Sequence, residues 1–400
     1  MKILVLFIFL ALNLTAFSQD QWIIKDSING APRSVAVSFV LNGEGFTVSG
    51  LDDSGFRRKM YSYTFWQDDW DDEVSMGGIN GSGLSRGSAC AFSIQNQGYV
   101  CLGQGETNPF FKDLWEFDLA TGAWTQKADF IGSPRRSAVA FTINDEGYVG
   151  TGQDASGFKK DMYKYNKSTN AWTQVSDFQG TARKDAVGFN IGGQGYIGTG
   201  DDGVVRNDFW QYNSTTDLWV QKASFPGTER RGAAAWGIFP QGFICAGEDI
   251  NSNYTKDLWE YNYFTNSWIQ RADFLGVGRT EAIAFVIQDV AFVGSGYNGE
   301  FLDDLYAYRR IVNIEEVNDF STIEIYPNPV RSFFKIKVNT TGLKVEIFSC
   351  LGENITDQVQ VEKTSEEFIV HKNNLSSGNY FISLRHKDQG SVYQSKFIIL

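Results

Sequence analysis

Residues 135–152 read RRSAVAFTINDEGYVGTG, and this stretch decides the fold. Arg135 is followed by an aromatic residue six positions on (Phe141), a second after 13 (Tyr148) and a glycine after 17 (Gly152). The same register starts from Arg33, Arg86, Arg183, Arg230 and Arg279, so the pattern occurs six times. A tryptophan heads each copy: Trp22, Trp70, Trp124, Trp172, Trp219 and Trp268. Five of them stand 11 residues before their arginine, and the interval from Trp70 to Arg86 is five longer. A repeat of about 48 residues, built from short apolar runs between turn residues, signals the blades of a propeller. Within one unit, Ala138–Thr142 suit a short inner strand and Asn144–Gly147 a turn. Tyr148–Gly152 follow as a second buried strand, Asp161–Tyr165 alternate as a third, and Trp172 lies on the outermost.

The ends of the repeat predict how the ring closes. Asp113, Asp161, Asp208 and Asp257 each precede an outer-strand tryptophan by 11 residues, while Lys59 holds that place before Trp70. The sixth copy has Asp304 but no tryptophan after it. Trp22, ahead of the first complete unit, is expected to supply the missing outer strand, which joins the two ends and leaves no open sheet edge. The expected architecture is all-β: a six-bladed propeller over residues 19–310, closed by an N-terminal strand.

Composition narrows the partners. A formal charge of −12 over 400 residues argues against nucleic acid or an anionic membrane as the main partner. Lys2 followed by the apolar run Ile3–Leu12 and by small residues reads as a secretory signal, residues 1–18, cleaved after Ser18. That run is too short to span a bilayer, and no other segment is apolar enough to do so. The four cysteines have neither metal nor framework spacing. Cys101 and Cys245 take a blade position held elsewhere by Gly150 and Gly198 and read as small buried fillers. Cys90 and Cys101 fall on adjacent strands, which leaves both a disulfide and a free thiol pair open.

The repeat resembles a kelch repeat, in which a glycine pair follows the second strand and a spaced tyrosine and tryptophan come later. Here the pair is loosened to Gly150-Thr151-Gly152, Gly198-Thr199-Gly200 and Gly294-Ser295-Gly296. Beyond a polar linker, residues 311–322, a second short-strand pattern begins: Ile323–Tyr326, Phe334–Val338, Leu343–Phe348, Tyr380–Leu384 and Tyr393–Leu400. Strands at this spacing suggest a small Ig-like β-sandwich over residues 323–400. This stretch resembles the type A C-terminal sorting domain of type IX secretion systems through Tyr326-Pro327-Asn328-Pro329, Leu351-Gly352, the run from Leu375 to Tyr380, and the terminal Lys396–Leu400. The resemblance implies a Gram-negative bacterium, handling of residues 323–400 by the type IX machinery, and release from the cell or display on its outer surface.

Histidine limits the chemistry. The chain has two, His371 and His386, both in the C-terminal module. A copper radical oxidase needs imidazole ligands on the propeller and a Ser-His-Asp hydrolase needs a base there, so both are disfavoured. Gly83-Leu84-Ser85-Arg86-Gly87 matches a nucleophile elbow only by coincidence, and the GxGxxG matches at Gly198 and Gly294 are repeat glycines. The acidic run Asp68–Glu73 lacks calcium-ligand spacing and reads as solvated charge. No cofactor is implied.

The positive signal is the arginine set. The blade-to-blade connections and the loops between second and third strands share one face, where loop length varies, and variable loops on a rigid scaffold carry binding sites. Arg33, Arg86, Arg135, Arg183, Arg230 and Arg279 are placed around the axial mouth of that face, with Phe110, Phe158 and Tyr254 on its loops, as ligand-binding candidates. Some kelch propellers that this repeat resembles use arginines at this point to contact acidic ligands. The competing expectation is structural pairing, because buried unpaired guanidinium groups are prohibitively costly. Asp52, Glu106, Asp154, Asp201, Asp202, Glu248 and Asp249, which follow the blade glycines, are the expected partners. The reading is a non-catalytic binder of an extracellular glycan or protein; a sugar epimerase or mutarotase using an Arg–carboxylate pair and a structural surface protein are the alternatives. Sialate mutarotases share the six-bladed kelch plan.

Overall fold

The computed structural model describes residues 20–78, 84–106, 110–310, 325–338, 340, 342–349, 355–373, 375–386 and 392–399. The signal segment 1–18, the linker 311–322 and Leu351-Gly352 lie outside them. Between Gln21 and Arg309 the chain forms six four-stranded antiparallel sheets. In the third, Val139–Ile143 is innermost, followed by Glu146–Gly150, Met162–Asn166 and Ala171–Val175. The innermost strands adjoin one another in chain order, and that of the sixth sheet, Ile283–Ile287, adjoins Val37–Leu41 of the first. The outer strand of the sixth sheet is Gln21–Lys25, paired with Phe301–Arg309 so that Trp22 lies opposite Tyr308.

Each fixed position of the repeat has a mechanical reason. The two aromatics are cross-strand partners on the first two strands, as Phe141 is with Tyr148, and their rings stack in every blade, with centroids from 5.0 Å (Phe92–Tyr99) to 5.9 Å (Phe189–Tyr196) apart. The inner ring also lies flat over the neighbouring blade. A Cβ on Gly147 would sit 2.2 Å from Phe92, and one on Gly195 2.3 Å from Phe141, so only glycine leaves room there. The glycine 17 residues after the arginine donates its N–H to the carbonyl of the next blade's arginine. Gly50 reaches Arg86, Gly103 Arg135, Gly152 Arg183, Gly200 Arg230 and Gly247 Arg279; Gly296 returns to Arg33, all at 2.7–2.9 Å. These glycines have φ between 90° and 113°, the left-handed region that a side chain resists.

The six tryptophans make a second cycle at the perimeter. Each indole N–H donates to a carbonyl at the end of the preceding blade's outer strand: Trp22 to Ala272 (3.1 Å), Trp70 to Asp26 (3.1 Å), Trp124 to Val74 (2.9 Å), Trp172 to Ala128 (3.0 Å), Trp219 to Ser176 (3.2 Å) and Trp268 to Ala223 (2.9 Å). Asp68 of the acidic run reinforces the closure by accepting from Lys25 and from the Asp26 N–H, both at 3.1 Å. The rest of that run is the outer strand Asp69–Glu73, with Trp70 buried.

Cys90 and Cys101 are directly opposed across strands as free thiols with Sγ atoms 3.3 Å apart, and Cys245 is a buried filler. The C-terminal module has two sheets, one of four strands and one of three, around a core that includes Phe334, Ile336, Ile347, Val370, Leu384 and Phe397. Two of its strands, Gln360–Lys363 and Glu367–His371, go beyond the sequence expectation. Phe348 and Phe381 of the module lie against Phe239, with centroids 5.2 and 5.7 Å away. Phe239 is in a turn on the face opposite the arginines.

Trp22 packs on Phe274 and Tyr308 with centroids 5.0 and 4.8 Å away. Trp22→Ala removes these contacts and one link of the perimeter cycle. Chemical denaturation should show a loss of about 2–3 kcal/mol, the range for truncating a half-buried large aromatic. An unchanged midpoint would mean that the first strand does not close the ring.

Candidate functional site: the axial mouth

The arginines are drawn inside the protein, and five of the six fork onto a carboxylate. All six are buried, with relative exposure of 0–3%. Arg135 uses its five N–H donors on Ser133 O (3.0 Å), Ser133 Oγ (2.9 Å), Thr151 O (3.0 Å) and both carboxylate oxygens of Asp161 (2.6 and 2.7 Å). Arg183 repeats the scheme with Thr181, Thr199 and Asp208. Arg86 forks onto Asp113, Arg230 onto Asp257 and Arg279 onto Asp304. A phenyl ring also covers each of the five guanidinium groups, from Phe111 over Arg86 (3.8 Å) to Phe130 over Arg135 (5.2 Å). A bidentate pair with every proton used is the form in which a buried charge is tolerated. Burial pushes the Asp161 and Asp257 carboxyls up, but the arginine hydrogen bonds and charge outweigh it and hold both below the usual carboxylate range.

The expectation for the arginine partners is corrected. They are the aspartates that mark the third strands, not the acids that follow the blade glycines. Arg33 has Lys59 at that position and instead reaches Ala31 O at 3.1 Å, with Ser49 O and the Tyr61 hydroxyl at 3.4 Å.

The mouth itself is built two residues further along. Val35, Ser88, Ser137, Asp185, Gly232 and Glu281 all have φ between 47° and 60°, and they follow one another around the axis. Ser88 N–H donates to Val35 O (3.1 Å), Ser137 to Ser88 (2.8 Å), Asp185 to Ser137 (3.2 Å), Gly232 to Asp185 (2.9 Å) and Glu281 to Gly232 (2.7 Å). Five of these positions hold a side chain in a backbone conformation that glycine would adopt without strain. Below them runs an axial cavity of about 220 Å³ walled by small residues, among them Ala36, Ala89, Ala138, Ala186, Ala233 and Ala282. The space at the mouth is about 120 Å³.

A collar surrounds the ring. The residue after each arginine bridges to the loop after the second strand: Ser34 to Leu51, Gly87 to Gln104, Arg136 to Gln153, Lys184 to Asp201, Arg231 to Glu248 and Thr280 to Tyr297. Arg231 pairs with Asp201 (2.9 Å) and Glu248 (3.0 Å), and Lys184 with Asp185 (3.1 Å). Tyr254 meets Tyr297 edge-on at 6.3 Å, so that predicted aromatic belongs to the collar. Phe158 is half-buried in the hairpin of Gln153–Asp154 with Gly157–Phe158, and Phe110 is half-buried beside Phe111. Sequence reasoning missed the collar cations Arg136, Lys184 and Arg231 and the mouth acids. The available signal was a position two after the arginine that changes character from blade to blade while its neighbours stay fixed.

Glu281 has an unusual environment. Burial at the mouth and the nearby Asp185 charge raise its carboxyl to about 7; Glu248 adds to this, while Ser34 and Lys184 oppose it. A carboxyl raised in the fold binds a proton there that the unfolded chain has lost, so its contribution to stability falls as pH climbs from about 4.5 to 7. Glu281→Gln removes that loss. The variant should exceed the parent in stability at pH 8, by as much as about 3 kcal/mol, with the gain shrinking toward pH 4.5. Denaturation curves across that range check it, and a pH-independent difference would contradict it.

Residues 36–229 match the family described as KLHDC2/KLHL20/DRC7 Kelch-repeats domain, and residues 324–400 match the Secretion system C-terminal sorting domain. The solved structure reported as "Structure of YjhT" is similar at 15% identity and a TM-score of 0.58, over 72% of this chain and 99% of that one. That likeness concerns the fold alone. No curated protein matches the chain.

Proposed function

This chain joins a kelch-repeat propeller to a type IX secretion sorting domain, and we propose that it is a binding protein whose recognition surface is the collar and ring of the axial mouth. The sorting domain implies handling by the type IX machinery and a secreted or outer-surface location in Bacteroidetes-type bacteria. Among the described residues, no helix is long and apolar enough to cross a membrane.

The observation that carries the proposal is the contrast between backbone and side chains at the mouth. The hydrogen-bond pattern repeats from blade to blade, yet the side chains it presents run from Val35 through Ser88 and Ser137 to Asp185 and Glu281. A scaffold that repeats its frame and varies only what it displays suits recognition of a polar extracellular glycan or protein. Tyr254 and Tyr297 add rings of the kind that stack on sugars or anchor a partner.

One observation favours a catalytic reading as well. Glu281, raised to about 7 beside the axis, has the proton affinity of a general acid–base for isomerising a free sugar. It replaces the Arg–carboxylate pairs as the group such an enzyme would use, because those pairs are sealed from the mouth.

A glycan array and a pull-down from culture medium with the secreted protein separate these readings. Retention that falls at least tenfold in Asp185→Ala and Arg231→Ala is the expected result. Retention unaffected by both substitutions contradicts a binding role for the mouth, and turnover of a free sugar that is lost in Glu281→Gln supports the enzyme.

A further inference from the structure

Arg136 differs from its counterparts in the collar. Its Nη1 donates to Gln104 Oε1 at 2.6 Å and its Nη2 to Gln153 Oε1 at 3.2 Å, while its buried Nε has no hydrogen-bond partner. Among the described residues no carboxylate forms an ion pair with it, and segments 79–83 and 107–109 contain no Asp or Glu. The equivalent cations are neutralised: Arg231 by two carboxylates, Lys184 by one. At the bridging position that holds Gln153 in blade three, blades four and five have Asp201 and Glu248.

The amides do more than stand in for carboxylates. A guanidinium has only donors, so each glutamine must turn its oxygen toward Arg136 and leave its NH₂ pointing elsewhere. Each Nη also has a second N–H. The result is a cluster of one full positive charge and two amide NH₂ groups turned away from it, next to the uncharged mouth residues Ser88 and Ser137. The side of the mouth across from blades two and three has Glu248 and Glu281, with Asp185 next to Ser137 on the way round, and accepts rather than donates. Such an arrangement takes a negative, planar acceptor on one side and hydroxyl groups on the other.

We propose that Arg136, with Gln104 and Gln153, forms a subsite for a ligand carboxylate at the blade-two and blade-three side of the mouth. The proposal rests on the binding role assigned to the mouth and specifies its polarity. The carboxylate would come from a free sugar acid or from an acidic group along a polymer, since both offer the same chemistry to the guanidinium.

The test uses the full secreted protein and calorimetric titration with galacturonate, polygalacturonate and galactose. Galacturonate or polygalacturonate should bind at least tenfold more tightly than galactose, and less tightly as salt is raised. The two acidic probes separate a monomer site from a polymer site. Arg136→Gln should lower acidic-probe affinity at least tenfold. Gln153→Glu writes the blade-five arrangement into blade three; it should lower affinity equally while keeping the melting temperature at or above the parent's, which separates a lost site from a lost fold. Acidic probes that bind no better than galactose, or unchanged affinity in Gln153→Glu, would overturn the subsite. If a neutral glycan from the array is retained through the mouth in that case, the binding role survives and only its polarity is wrong. No retention of any probe or glycan overturns both.

Discussion

Six glycine N–H groups, each donating to the arginine carbonyl of the next blade, are the constraint on which the rest of this molecule depends. The last returns from Gly296 to Arg33, so the chain of bonds is closed. For the bond to form, the glycine must take a left-handed backbone and the arginine carbonyl must be held still. The guanidinium does the holding. It spans from its own connection to the carbonyl just before the glycine and to the aspartate at the start of the third strand, as Arg183 does with Thr199 and Asp208. Charge, left-handed glycine and inter-blade bond form one repeating unit, and the indole cycle at the perimeter repeats the linkage at larger radius.

Fixing the arginine fixes what lies beyond it. Two residues later the backbone turns across the axis, and the side chain there faces the mouth whatever its identity. Stability and the recognition we propose thus fall to neighbouring residues of one connection. The arginine is buried and invariant, the next residue joins the collar, and the one after stands on the ring. This division explains how Arg135 and Arg136, adjacent and alike in sequence, have opposite roles: one has every proton committed, the other lacks a countercharge.

Much of this was legible in the sequence. The six-fold register gave the sheets, and the lone Trp22 gave the closure, because both follow from period and spacing. The aspartates 11 residues before the tryptophans were visible as markers, but pairing Arg135 with Asp161 needs the loop 151–161 to fold back over the connection, which spacing alone does not show. The acids after the blade glycines were nearer in sequence and misled for that reason; Asp52 and Asp154 bind Arg57 and Lys159 instead. Arg136 was hidden by its neighbour, and the mouth residues were hidden because they have no common chemistry to detect. In the C-terminal module, Gln360–Lys363 escaped because it is short and rich in charge, and Glu367–His371 because it is short.

The central claim is that the six repeat arginines are buried scaffold while Arg136 is only half-buried. Modification of the native secreted protein with phenylglyoxal, read residue by residue by mass spectrometry, tests it directly. The account predicts that Arg136 is modified while Arg33, Arg86, Arg135, Arg183, Arg230 and Arg279 react only once the protein unfolds. Modification of any of those six at the rate of Arg136 in the folded protein would contradict it.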